Sequence, residues 1–147
     1  MTTIISFILT AIIFVAVDMV WLAVIAKSFY WSRLGHLLTK DVVWIAVLIF
    51  YVVYVLGVFY FVINPAIATN SWLAAMQNGF LLGILCYATY DLTNMGTLKD
   101  WSWAVAVVDI IWGGILTAVT SVAGFMIASR LAWHYFFGHF LQRLPPL

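Results

Sequence analysis

The chain has 147 residues, of which 67% are hydrophobic and 7% are charged. A soluble domain carries about 25% charged residues, so this chain has too little polar surface for a water-soluble globule. A net charge of +1 and the lack of a basic patch argue against nucleic acid as a partner. We therefore expect one domain whose main solvent and partner is the lipid bilayer.

Four apolar stretches are long enough to cross a bilayer, since a helical span needs about 20 residues. They cover about residues 4–26, 42–63, 72–93 and 101–129. No basic residue precedes Lys27, so we interpret the first stretch as a retained span and not as a signal peptide. Because backbone groups in lipid must be bonded internally, runs of this length favour helices. The sequence predicts an all-α polytopic membrane protein, with a four-transmembrane-helix bundle over residues 1–130.

The segments between and after the spans carry their own signals. Asp41, Ser71 and Asp100 directly precede the second, third and fourth spans, where a side-chain oxygen can cap free helix N–H groups. Residues 131–147 combine aromatic and polar side chains, and they are predicted to form an interfacial C-terminal tail that ends at Pro145.

Positive charge is distributed unevenly between the two sides of the predicted bundle. Loop 27–41 carries Lys27, Arg33 and Lys40, and loop 95–100 carries Lys99, whereas the opposite side has only Arg130 and Arg143. Cytoplasmic loops are enriched in Lys and Arg. The two loops are therefore predicted to face the cytoplasm, with both termini on the non-cytoplasmic side.

Three aspartates, Asp18, Asp91 and Asp109, lie inside the predicted spans. A charged side chain there costs roughly 3 kcal/mol on insertion scales, and such residues usually face a bundle interior or a wet cavity. At about 1.5 Å per residue, Asp18 and Asp109 lie roughly 12 to 13 Å from the cytoplasmic end of their spans. Asp91 lies close to the same end. If they face inward, we expect them to meet in one buried acidic pocket near the cytoplasmic side.

Helical spacing favours inward faces for these aspartates. Gly79, Gly83, Tyr87 and Asp91 recur every four residues and share one stripe of the third span. Gly79 and Gly83 form a GxxxG pattern, which permits close helix packing, and Gly113 belongs to a small-residue face of the fourth span. Four further side chains are predicted to shape the pocket: Asn94, Tyr90, Trp21 and Trp112.

Two interpretations of the aspartates remain open. They form a site for a proton, a cation or a polar headgroup. Alternatively, each only hydrogen-bonds another helix, a further subunit, or the indole N–H of the tryptophan three residues later, which is Trp21 for Asp18 and Trp112 for Asp109.

No pattern in the sequence points to enzyme chemistry. A P-loop, a dinucleotide-binding loop and an H-E-x-x-H motif are all missing, and the single cysteine, Cys86, is interpreted as a packing residue. The sequence therefore assigns no catalytic residue, no metal site and no cofactor, and it favours a protein that is not an enzyme.

Several of these segments together resemble a known family. They are Asp18-x-x-Trp21-Leu22, Leu34-Gly35-His36-Leu37-Leu38, Tyr87 to Asn94 (Tyr-Ala-Thr-Tyr-Asp-Leu-Thr-Asn) and Val108-Asp109-x-x-Trp112-Gly113. Over about residues 4–128 the chain resembles a bacterial membrane-protein family of unknown function, domain of unknown function 2177. The resemblance implies four helices in the bacterial cytoplasmic (inner) membrane and brings no activity with it.

The leading hypothesis is a small transport or ligand-binding membrane protein that uses the acidic pocket. The alternative is an accessory or structural subunit of a larger membrane complex, with a membrane-protein partner or a second copy of the chain as its neighbour. A lipid-modifying enzyme is the third possibility, with an aspartate as general acid or base.

Overall fold

The structure, a computed structural model, describes residues 2–39 and 41–141, with side chains as far as Leu131. Within these residues the chain is helical and has no strand, which confirms the all-α prediction. Four helices are long and apolar enough to cross a membrane: Thr2–Ile25, Trp44–Ala68, Trp72–Thr97 and Trp103–Leu131. The predicted four-span membrane architecture is thereby confirmed.

The first span is not a uniform α-helix. Helix α1 (Thr2–Val20) widens into a π-helical turn at Trp21–Ile25, and after a bend at Ala26 the chain enters the short helix α2 (Lys27–Leu34). Every fourth side chain of α1 is buried, in the order Ser6, Thr10, Phe14 and Asp18. This spacing puts one stripe of α1, with its aspartate, against the rest of the bundle.

The second span has the same construction. Helix α3 (Trp44–Val58) continues through a π-helical turn at Phe59–Ile63 into α4 (Asn64–Ala68). Ser71 then caps α5 (Trp72–Thr97), because its Oγ accepts a 3.1 Å hydrogen bond from the Ala74 N–H. That cap was predicted.

The predicted caps at the two aspartates are wrong. Helix α3 begins at Trp44 and has no side-chain cap, while the Asp41 N–H donates to Thr39 Oγ1 at 3.1 Å. Helix α6 (Trp103–Leu141) begins three residues after Asp100, whose backbone is left-handed at a φ of 60°. In both cases an apolar residue takes the first helical position, so the helix starts later than the acidic residue suggests.

Helix α6 is the centre of the bundle, and α5 packs closely along it. An added Cβ on Gly79 would lie 2.6 Å from Ser121 Oγ, and one on Gly83 would collide with the Gly113 carbonyl. Removing side chains at these points lets the two backbones approach. An apolar cluster of Phe14, Val55 and Leu116 is buried between the helices.

The bundle therefore has two different ends. One end holds α2, the end of α5 and the starts of α3 and α6, and all three intramembrane aspartates lie toward it. Helix α6 continues without a break to Leu141. The side chains of 132–141 and all of 142–147 lie outside the described residues, so the interfacial tail stays a prediction.

Candidate functional site

A cavity of about 690 Å³ lies at the end of the bundle that carries α2. Small-molecule sites are clefts of about 300 to 1,000 Å³, so the volume suits a ligand of drug-like size. Helices α1, α2, α3, α5 and α6 all contribute to the wall. Its carboxyl groups are Asp18 and Asp109, from two different helices.

Asp18 projects from the buried stripe of α1 and is 4% exposed. Tyr51 Oη donates to its Oδ2 at 2.8 Å, and Trp112 Nε1 donates to its Oδ1 at 3.2 Å. A carboxylate accepts such bonds through both oxygens. Both donors are neutral, so they fix the position of the carboxyl group and bring no positive charge to it.

Asp109 accepts a hydrogen bond from a residue that lies outside the four spans. The Tyr30 hydroxyl on α2 donates to Asp109 Oδ1, and Trp21 Nε1 donates in turn to Tyr30 Oη at 3.1 Å. Burial, reinforced by the hydrogen bond to Asp109, raises the pKa of the Tyr30 phenol above its usual value of 10.0. Tyr30 therefore stays a neutral donor at physiological pH, and α2 is tied to the bundle through it.

The two Asp-x-x-Trp segments exchange partners. Trp21 and Trp112 stack face to face, with ring centroids 4.3 Å apart and an angle of 9° between the planes. Trp112 donates to Asp18, while Trp21 reaches Asp109 through Tyr30. The alternative in which each aspartate bonds the tryptophan of its own helix is wrong. Because α1 and α6 face each other here, each indole is connected to the carboxyl group of the opposite helix.

Asp91 lies apart from the cavity. It is 0% exposed, it is not on the cavity wall, and neither of its oxygens has a hydrogen-bond partner. The Trp101 indole N–H lies beside the Asp91 carboxyl without the geometry of a hydrogen bond. The cavity wall thus carries Asp18 and Asp109, and Asp91 is buried outside it.

The other predicted site residues are divided between the cavity and its surroundings. Trp112 and Tyr90 line the wall, and Tyr90 is 59% exposed. Trp21 supports the wall through its stack on Trp112. Asn94 is half-buried at the end of α5 and does not line the cavity. The helix-packing residues Gly79, Gly83 and Gly113 lie where α5 and α6 meet.

Aromatic rings form most of the remaining wall. They are Tyr30, Trp31, Phe50, Tyr51, Tyr54, Tyr87, Tyr90 and Trp112. The Tyr54 and Tyr87 rings meet edge to face at 6.3 Å, and the Tyr54 hydroxyl shares a 2.7 Å hydrogen bond with Thr117 Oγ1. Lys27 is the one basic residue on the wall and is exposed. The cavity is thus an aromatic chamber with two carboxylates.

Tyr30 is the functional candidate that the sequence did not predict. It lies in loop 27–41, which was assigned to the water side of the membrane, yet it lines the cavity and holds Asp109. The available signal was the aromatic run Phe29-Tyr30-Trp31 directly after the first span.

Among the described residues, no group of three His, Cys or Asp side chains is placed to hold a metal ion.

The chain matches one family model, described as predicted membrane protein (DUF2177), over residues 3–126. The match covers all three intramembrane aspartates and both tryptophans of the stack. Among curated proteins and among solved structures, no chain matches this one.

Proposed function

The chain belongs to this family of membrane proteins, and we propose that its aromatic cavity binds an amphipathic organic cation. The proposal makes the molecule a small ligand-binding protein, with recognition in the cavity as the first step of transport. The observation that carries it is the pair of carboxyl groups, Asp18 and Asp109, on the wall of one ligand-sized cavity.

Charge gives the first argument. Asp18 is almost fully buried and its hydrogen bonds come from two neutral donors, Tyr51 and Trp112. Asp109 accepts from neutral Tyr30. Buried charges are normally paired, because an isolated charge in a poorly polarisable interior is costly. A ligand cation between the two carboxylates would supply the missing partner.

The rest of the wall gives the second argument. Aromatic faces attract cations with about 0.5 to 2 kcal/mol per contact, and most where water is excluded. The rings of Tyr54, Tyr87 and Trp112 also offer apolar surface to the organic part of a ligand. A small hydrated metal ion would leave that surface unused, so the wall favours an organic cation.

Equilibrium binding of two shape-matched probes tests the proposal. Tetraphenylphosphonium and tetraphenylborate have nearly the same shape and opposite charge. The purified protein in detergent is expected to bind the cation and to reject the anion. Equal binding of both probes would show only nonspecific partitioning, and binding of neither would remove the proposed function.

The first prediction concerns Asp18. Asp18→Asn keeps the shape of the side chain, removes one charge that faces the ligand and replaces one of the two acceptor oxygens by an amide NH2. Losing one member of a desolvated charge pair costs about 2 to 5 kcal/mol, so the Kd for tetraphenylphosphonium should rise about 30-fold or more. Asp41→Asn is the matched control, because Asp41 is exposed and is not on the cavity wall. An unchanged Kd in Asp18→Asn would contradict the proposal.

The ligand could come from two sources, a free amphipathic amine or an amine-bearing phospholipid headgroup. Native mass spectrometry of gently purified protein separates them. A retained phospholipid that tetraphenylphosphonium displaces would identify the headgroup as the occupant. A small basic molecule displaced in the same way would identify a free amine.

A further inference from the structure

Asp91 is the one intramembrane carboxyl that the cavity does not use. Its side chain is fully buried, and neither oxygen accepts a hydrogen bond. The ionisable groups that interact with it electrostatically are Asp109 on α6, Tyr30 on α2 and its own neighbour Tyr90. None of them is a cation. A carboxyl in such surroundings avoids a buried unpaired charge by keeping its proton.

We propose that Asp91 is a proton-binding site that exchanges its proton for the cation in the cavity. The inference rests on the proposed function, because it needs a cation beside Asp109. Asp91, near the end of α5, and Asp109, near the start of α6, lie toward the same end of two closely packed helices, so with the cavity empty a charge on one opposes a charge on the other. A bound cation offsets the charge of Asp109 and permits Asp91 to ionise.

The exchange conserves charge and atoms. The Asp91 O–H bond breaks, its electron pair stays on the carboxylate oxygen, and the proton passes to water. One positive charge enters the site and one leaves it, so the three carboxyls and their guest keep the same total charge.

Linkage fixes the sign of the pH dependence. If binding releases a proton, added protons must weaken binding by the same coupling free energy. Over the range where Asp91 holds its proton in the empty protein, the Kd for the cation should fall about tenfold for each unit rise in pH. A proton gradient across the membrane would then drive the cation in the opposite direction.

Proton release and cation binding are measured on the same purified protein. Tetraphenylphosphonium is the probe, because it is a permanent cation with no proton to give, and a pH indicator in weak buffer counts the protons. The wild type should release up to one proton per bound cation. Asp91→Asn should bind the probe, release none and lose the pH dependence of Kd. Asp100→Asn, which removes an exposed carboxyl, should behave as the wild type.

The outcomes separate the two proposals. Binding without proton release by the wild type, or undiminished release by Asp91→Asn, overturns the exchange and leaves the cation site standing. No binding at all overturns both. Infrared spectra of the wild type give a test that needs no variant to fold. The C=O band of a protonated carboxyl should be present in the empty protein and lost on adding the probe; its persistence overturns the exchange.

Discussion

At the scale of single residues, the sequence shows which side chains are unusual but not what they touch. An aspartate in an apolar span is conspicuous, and Asp18 and Asp109 were predicted to face inward for that reason. Their exchanged partners depend on how α1 and α6 are rotated about their axes, which no local pattern encodes. Tyr30 was missed for the same reason, because its role arises only when α2 folds back on α6.

Trp112→Phe tests the hydrogen bond that crosses between the two helices. The change keeps an aromatic ring over Trp21, removes the N–H that donates to Asp18 and makes the ring system smaller. Losing a hydrogen bond to a buried charged acceptor costs about 1 to 3 kcal/mol, so the free energy of unfolding in detergent should fall by that amount. Trp103→Phe is the control, since Trp103 is 66% exposed. Equal stability of the two variants would mean that the crossed bond contributes nothing.

At the scale of helices, apolar length predicted the four spans, and each helix starts within two residues of its expected position. The last three helices end later than expected, and α6 continues to Leu141. The π-helical turns at Trp21–Ile25 and Phe59–Ile63 were not predicted, because widened turns follow from packing and have no composition signal of their own. Helix α2 was assigned to a loop, since eight residues of mixed polarity give too short a pattern to recognise.

Gly83→Ala tests the close packing of α5 on α6. The new Cβ would meet the Gly113 carbonyl, which is backbone and cannot rotate away. Overpacking of this kind costs about 1 to 3 kcal/mol, so the midpoint of thermal unfolding in detergent should drop clearly. Gly57→Ala is the matched control: nothing lies within 4 Å of its added Cβ. That change should leave the protein as stable or slightly more stable, since alanine favours helices. A Gly83→Ala midpoint equal to the control's would refute the close contact.

At the scale of the whole molecule, the cavity and the positive charges are found at the same end. Lys27, Arg33 and Lys99 all belong to the connections on that side of the bundle. The positive-inside rule predicts that the cavity faces the cytoplasm. The amino-acid composition indicated that lipid surrounds most of the protein surface. Composition carries no information on which face of the bundle a second subunit would cover.

Cysteine labelling from one side of the membrane tests this orientation. In a Cys86→Ala background, Ser32→Cys places a thiol on exposed α2, and Asn70→Cys places one in the opposite connection. A membrane-impermeant maleimide should label Asn70→Cys in intact spheroplasts and Ser32→Cys only after lysis. The reverse pattern would put the cavity on the outer side.

The location of a bound cation is the most direct test of the central claim, that Asp18 and Asp109 share one cation site. Tetraphenylarsonium has the same shape as the phosphonium probe, and its arsenic atom can be located by anomalous scattering in crystals of the complex. The claim predicts one arsenic position inside the cavity, between the two carboxyl groups and among the rings of Tyr54, Tyr87 and Trp112. Arsenic found only on the lipid-facing surface of the helices, with the cavity unoccupied, would contradict it.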